Sequence, residues 1–278
     1  MSKILVVGAH GNVGSELVRL LQERGQTVVR ATSRAPTQPD EVQLNLVTQQ
    51  GISAALEGVE RAFLLSPPGF TQQDRLLNPV VDEAVRRGVA KLVLMTAMGA
   101  NADESGGLRK AELHLERSGV PYNVIRPNWF MQNFNSYWRQ GIREAGKILL
   151  ATGSAKGSYI DARDIAAVAA ELLTSDRFDN RELDLTGPRA IDHHEIAAIL
   201  SRELGKRIVY EDVTPETMHA LVMEAGLPRD YADLLIGLLH FFKLGYAEPT
   251  SEAVQQITGR PARSFEEYAH DHRAAWLG

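Results

Sequence analysis

Close to the start of the chain an aliphatic run, Ile4-Leu5-Val6-Val7, breaks into Gly8-Ala9-His10-Gly11-Asn12-Val13-Gly14, and Leu17, Leu20 and Leu21 follow at helical spacing. A short aliphatic run behaves as a buried parallel strand, and apolar positions three and four apart mark one face of a helix. The glycines between them let the backbone turn tightly and bring strand and helix close together. The helix is expected over 15–24, with Gly25 as its C-terminal cap. Its first amides carry partial positive charge and would face an anion lying over the turn. In a strand, turn, helix context that anion is the pyrophosphate of a dinucleotide, held by Gly8, His10, Gly11, Asn12, Val13 and Gly14. The spacing is Gly-x-x-Gly-x-x-Gly, so the context carries the inference more than the glycine count does.

A second strand, expected over 27–31, leads into Thr32-Ser33-Arg34. About 20 residues past such a turn, a site that prefers NAD offers a carboxylate to the ribose hydroxyls. Here a hydroxyl and a guanidinium stand instead, and these hold a 2′-phosphate through charge-assisted hydrogen bonds. Ser33 and Arg34 therefore favour NADP(H) over NAD(H).

Strand-like runs recur at 3–7, 27–31, 42–44, 61–65, 91–95 and 122–126, with helix-like intervals between most of them. This alternation gives an α/β fold, a Rossmann-type doubly wound parallel sheet with expected strand order 3-2-1-4-5-6. After residue 126 the pattern loosens. The expected division is a dinucleotide-binding domain over 1–150 and, over 151–278, a small C-terminal α/β lobe for substrate, with some segments returning to the sheet. Ligands of such sheets lie at the carboxyl ends of the strands. Candidate cofactor contacts are accordingly Asn45, for adenine, with Leu65, Ser66, Pro67, Thr96, Ala97, Pro127 and Phe130. The turn Ser66-Pro67-Pro68-Gly69 is neutral and stiff, suited to lie under a ribose or nicotinamide.

The 278 residues contain no cysteine, which excludes structural disulfides, thiol nucleophiles, iron–sulfur clusters and cysteine-based zinc sites. A formal net charge of −5, with no Lys/Arg run longer than two residues, leaves no basic field for nucleic acid. The apolar stretches 92–100 and 234–242 fall short of the roughly 20 residues that cross a bilayer. With the first strand starting at residue 3 and no room for a signal peptide, a cytoplasmic protein is expected, monomeric or a homodimer.

Downstream, Asp192-His193-His194-Glu195 has the form of a capping box, followed by Ile196, Ile199, Leu200 and Leu204 at helical spacing and then Gly205. Adjacent histidines on a helix point in different directions, so no metal site is expected there or elsewhere. Thr214-Pro215 opens a further helix. Asp164 is expected to cap a helix starting at residue 165. The segment 234–242 is expected as a core or lobe-packing helix, with a pocket wall or dimer surface as the alternative.

Ketone-reducing short-chain dehydrogenases carry a Tyr-x-x-x-Lys pair on the helix after strand five. Here Lys110 is present and Gly106 stands where the tyrosine would be. Lys110 is expected to hold the nicotinamide ribose. With that departure, the chain resembles the NmrA-like, atypical short-chain dehydrogenase/reductase family. The resemblance rests on the Gly8–Gly14 turn, Thr96-Ala97-Met98-Gly99-Ala100-Asn101, Arg109-Lys110-Ala111-Glu112 and the run from Val120 through Arg126-Pro127-Asn128-Trp129-Phe130 to Asn133. It continues through Tyr159-Ile160-Asp161-Ala162-Arg163-Asp164, Leu185-Thr186-Gly187-Pro188 and Thr258-Gly259-Arg260-Pro261, nearly the whole chain.

The resemblance implies a Rossmann domain with a small C-terminal lobe, bound NADPH, and either a reductase of quinones, dyes, imines or iminium compounds or a redox sensor that regulates partners. Hydride transfer to such acceptors needs little help from a protein acid, because the electron sink lies in the substrate. An NADPH-dependent reductase of a planar, electron-poor organic compound is therefore expected. A non-catalytic NADP(H)-binding sensor and a nucleotide-cofactor-dependent epimerase or lyase are the alternatives. The aromatic or conjugated substrate would meet Met98, Phe130, Met131, Tyr159 and Phe241, with Tyr159 and Lys110 as the candidate catalytic groups.

Overall fold

The computed structural model describes residues 2–277. The aliphatic runs form β1 (Lys3–Val6), β2 (Thr27–Thr32), β3 (Glu41–Gln43), β4 (Arg61–Leu65), β5 (Lys91–Met95) and β6 (Tyr122–Pro127). They line up as β3-β2-β1-β4-β5-β6, and a seventh strand, Arg181–Leu185, adds beside β6. Every neighbouring pair is parallel. The expected order of the six strands holds. The seventh, Arg-Glu-Leu-Asp-Leu, is charged and mostly half-exposed, as an edge strand must be, and offers no apolar run to announce it.

Both faces of the sheet are covered. Leu5, Ala62, Leu64, Leu92, Leu94 and Val124 share one buried cluster with Leu77, Val80, Val81 and Leu115, which lie on α3 (Gln73–Arg86) and α4 (Gly107–Arg117). The alternate strand residues Ile4, Val6, Phe63, Val93 and Ile125 are buried too and point to the opposite face. There α1 (Asn12–Glu23) packs on α5 (Ala162–Thr174), which lies against β4, β5 and β6; the single turn α2 (Ile52–Ala55) sits beside β3 and α3. Ala166, Ala169 and Ala170, all fully buried, give α5 a thin face for this contact. The helix begins at Ala162 and not at 165, so Asp164 is a buried first-turn residue rather than the cap, and Asp161 immediately precedes the helix.

The chain forms two compact units, one of Met1–Pro127, Ala162–Leu185 and Ala253–Arg260, the other of Asn128–Asp161, Thr186–Glu252 and Pro261–Gly278. The second unit has its own core of Phe134, Tyr159, Phe242, Phe265, Tyr268 and Trp276, in which the Trp276 indole donates to the Phe134 carbonyl at 2.7 Å. Two small sheets flank it, Lys147–Leu150 parallel to Val209–Asp212 and Lys156–Gly157 antiparallel to Ile191–Asp192. The capping signals hold in part: the Asp192 carboxylate accepts from the Glu195 amide at the head of His193–Leu204, while the Glu195 carboxylate pairs with Arg189 and completes no capping box, and Thr214 caps Pro215–Glu224. The apolar segment 234–242 lies within the helix Arg229–Lys243, with Leu239 and Phe242 buried and Leu238 and Phe241 exposed.

Each unit buries ionisable groups. In the first, the fully buried Glu112 accepts from Arg126 Nε and Nη2 at 2.9 and 2.7 Å, from Arg109 Nη1 at 2.9 Å and from the Thr96 hydroxyl at 2.6 Å. In the second, His193 lies between two hydroxyls, Tyr159 at 2.7 Å from Nε2 and Thr152 at 2.9 Å from Nδ1. A neutral imidazole, one donor and one acceptor, is satisfied by that pair. Burial pushes the His193 pKa down to about 3.

Two outcomes are expected. Removing one member of a buried ion pair strands the other, so Glu112→Leu should lower unfolding free energy by about 3–5 kcal/mol. Urea melts check this, with Arg86→Ala, which opens an exposed pair with Glu83, as a control whose midpoint stays in place. For His193, the unfolded chain takes a proton below about pH 6.5 while the folded state refuses it down to about pH 3. The stabilisation is full above about pH 6.5 and is lost on acidification, by ~1.4 kcal/mol per pH unit through that window. His193→Gln should flatten the pH dependence of stability by one proton, and an unchanged slope would refute the assignment.

Candidate cofactor and active site

The glycine turn is built by two constraints. Gly8 has φ +72°, a left-handed conformation that suits glycine. At Gly14 a Cβ would lie 2.1 Å from the Gly8 carbonyl oxygen, so a side chain there would drive the helix off the strand. The helix starts at Asn12, three residues earlier than expected, because the last glycine belongs to its first turn. Gly11 donates to Gly8 O at 2.9 Å and stands at the N-cap with no side-chain cap. The amides of Asn12, Val13 and Gly14 precede the first helical bond, Ser15 N to Gly11 O, and such amides are the ones a pyrophosphate uses. This cradle fits a dinucleotide.

Of the residues expected to meet the adenosine half, Ser33 and Arg34 are exposed beyond β2, and the Arg34 amide donates to the Thr32 hydroxyl at 3.2 Å. His10 is exposed on the turn itself. Asn45 is half-buried, and its side-chain carbonyl accepts from the amides of Val47 and Thr48, which leaves the NH2 group for a ligand.

Beyond β4 and β5, Leu65 and Ser66 are half-buried, and the Ser66 hydroxyl donates to the Pro67 carbonyl at 3.1 Å. Thr96 is fixed more firmly. Its amide donates to Ile125 O, and its hydroxyl donates to the Glu112 carboxylate, so only its lone pairs remain for a ligand. Ala97 and Met98 are half-buried, and the Met98 amide donates to the carbonyl of the buried Pro127. Lys110 is exposed on α4, and Gly106 is that helix's N-cap. All these positions lie in the first unit, on the segments that follow its strands. The Glu112–Arg126 pair that braces Thr96 has no signature in the sequence, since partners from a helix and a strand meet only in the fold.

The other candidates lie in the second unit. Phe130 is half-buried and bridges in parallel to Ile160. Met131 and Tyr159 are 1% and 2% exposed within the core, whereas Phe241 is 55% exposed and packs edge-on against Tyr246. The Tyr159 hydroxyl points into the core at His193, and burial raises its pKa well above the ordinary value. As placed, it serves the imidazole rather than an incoming substrate. The hydrogen-bonded sequence that continues from it, His193 to Thr152 to Tyr210, was missed because His193 reads as part of a capping box.

Residues 8–176 match the model of the NAD(P)H-binding family. The chain is 35% identical to an NAD(P)H azoreductase of Xenophilus azovorans, over 98% of this chain and 99% of the relative. Its fold is similar to that of an NADPH-dependent quinone oxidoreductase from Escherichia coli complexed with NADPH, with a TM-score of 0.85, 22% identity and coverage of 98% and 99%. It is also similar to that of NmrA, a negative transcriptional regulator in complex with NADP, with a TM-score of 0.78, 15% identity and coverage of 97% and 94%. No helix among the described residues is long and apolar enough to cross a membrane. With a cradle for a dinucleotide at its first turn and a full-length reductase relative, the chain belongs to the NAD(P)H-binding family, as an NAD(P)H-dependent oxidoreductase.

Proposed function

We propose that the protein is an NADPH-preferring reductase of a planar, electron-poor organic acceptor: a quinone, an imine or iminium, or a dye-like conjugated compound. When bound, the reduced dinucleotide supplies the hydride. The glycine turn holds its pyrophosphate, Ser33 and Arg34 its 2′-phosphate, and Ser66, Thr96 and Lys110 the nicotinamide half. Thr96, with its proton engaged by Glu112, accepts a hydrogen bond there and does not donate one. In the first unit, the half-buried Met98 offers apolar surface to the acceptor.

The observation that carries the acceptor class is Gly106. One turn before Lys110 there is no side chain to act as an acid, and the Tyr159 hydroxyl is engaged by His193. A simple ketone needs a proton delivered as the hydride arrives, because an alkoxide is a costly product in a dry site. An acceptor that delocalises the incoming pair does not. Orientation and exclusion of water are then the protein's main contributions. The azoreductase and the quinone oxidoreductase similar to this chain act, by their names, on conjugated acceptors.

The test is NADPH oxidation followed at 340 nm with a quinone, an azo dye, a cationic triphenylmethane dye and cyclohexanone. Turnover with one or more conjugated acceptors and none with the ketone is expected. Tight NADPH binding without oxidation by any conjugated acceptor would overturn the reductase reading in favour of a sensor. Separately, Arg34→Ala should weaken NADPH binding about 10- to 100-fold, the range for losing a charge-assisted contact of ~1.5–3 kcal/mol, and leave NADH binding within about twofold. Isothermal titration with both nucleotides checks it.

A further inference from the structure

Between β2 and β3 the chain makes an exposed excursion that carries Arg34, and the excursion is pinned at several points. Arg30, on β2, forms a two-pronged pair with Asp40 at 2.8 and 2.5 Å, and its amide donates to Asp40 O. That pair closes the neck and leaves Arg30 occupied. Glu41, the first residue of β3, reaches back into the excursion. Its Oε2 accepts from the Thr37 amide at 2.7 Å, the Thr37 hydroxyl at 3.1 Å and the Gln38 amide at 3.1 Å. Its Oε1 lies 3.2 Å from His10 Nε2 on the glycine turn. The side chain is 5% exposed, while His10 is 54% exposed. The amide of Thr37 leads the contacts that hold the Glu41 carboxyl below the usual range, so it is ionised at neutral pH.

One carboxylate thus ties together two loops that the proposed function places on either side of the adenosine ribose. The excursion that carries Arg34 has no helix or strand of its own to hold it there. A carboxylate beside a 2′-phosphate site would ordinarily oppose the ligand. Here its charge faces three donors and an imidazole rather than solvent, so the same group organises the site without presenting itself to the phosphate. We propose that Glu41 is a positioning residue for cofactor selectivity, latching the Arg34 loop to the glycine turn through Thr37, Gln38 and His10 so that Arg34 is presented to the 2′-phosphate of NADPH. This rests on the NADPH preference proposed above. Ordering the loop in advance lowers the cost of binding the phosphate and leaves a ribose without phosphate nearly unaffected.

The experiment measures the dissociation constants of NADPH and NADH, by nicotinamide fluorescence, for the wild type, Arg34→Ala, Glu41→Ala, Glu41→Gln and Arg34→Ala/Glu41→Ala. Thermal melts report folding. Glu41→Ala should lower the NADPH-to-NADH preference about tenfold, with the NADH constant within about twofold. Glu41→Gln keeps an acceptor for Thr37 and Gln38 but loses the charge facing His10, so its preference should fall between. The double variant should be no less selective than Arg34→Ala alone, since the latch acts through Arg34. A wild-type preference in Glu41→Ala, alongside a lost preference in Arg34→Ala, would overturn the latch and leave the phosphate assignment standing. A wild type without preference, or an Arg34→Ala that keeps it, would overturn the phosphate assignment and the latch with it. Should Glu41→Ala fail to fold, Glu41→Gln decides, and an unchanged ratio there counts against the latch.

Discussion

The approach of α1 to β1 governs the rest of the first unit. With 2.1 Å between the Gly8 carbonyl oxygen and the place of a Cβ on residue 14, only glycine lets the helix begin inside the turn. Because it begins there, its open amides stand directly over the end of β1, where a ligand can use them. The same closeness sets α1 against α5, and α5 against the middle strands. A side chain at 14 would act on binding and packing together. Such a site is preorganised because the fold cannot form without making it.

The proposed nicotinamide end rests on a different device, a buried network of charges. Glu112 gathers Arg126, Arg109 and Thr96, and Arg126 also pairs with Glu182 on the seventh strand. Burial and the hydrogen bond with Glu182 keep the Glu116 carboxyl above its usual range, while for Glu182 burial is opposed by Arg126, Glu116 and Arg109, which together hold it below. Three carboxylates meeting at one place could suggest a cation site; here the Arg109 and Arg126 guanidiniums already sit among them. Such networks add less net stability than apolar packing but define a single geometry. The direction of the Thr96 hydroxyl, and so the kind of group it can meet, is one consequence.

What was legible in the sequence was local or periodic. The strands β1 to β6, their order, the glycine turn, and the caps at Asp192 and Thr214 follow from short-range rules that need no partner. The start of α1 was misplaced by three residues because a glycine-rich stretch reads as turn even where its last glycine is helical. Asp164 was misplaced for the opposite reason, since an acidic residue before an apolar run reads as a cap whether it lies outside the helix or in its first turn. Hidden altogether were pairings between residues far apart in the chain: Glu112 with Arg126, Tyr159 with His193, and the strand Arg181–Leu185 with β6. Charged or polar residues carry no periodic signal of burial, so their partners emerge only with the tertiary structure.

Tyr159 shows how much this matters for function. A tyrosine in a reductase invites the role of acid, and its position in the sequence raises no objection. In the fold its hydroxyl is buried, its pKa is raised, and its partner is an imidazole held neutral by the same burial. A proton on that hydroxyl is harder to give up than one in water, and its loss would leave a phenolate in an apolar core. On the proposed function, then, the proton that completes the reduction comes from solvent after the hydride has moved. On that proposed function the protein is restricted to acceptors whose hydride adduct is tolerable without immediate protonation. On the same reading the missing acid is a statement about the substrate: the narrower the help from the protein, the more the acceptor must stabilise the incoming electron pair itself.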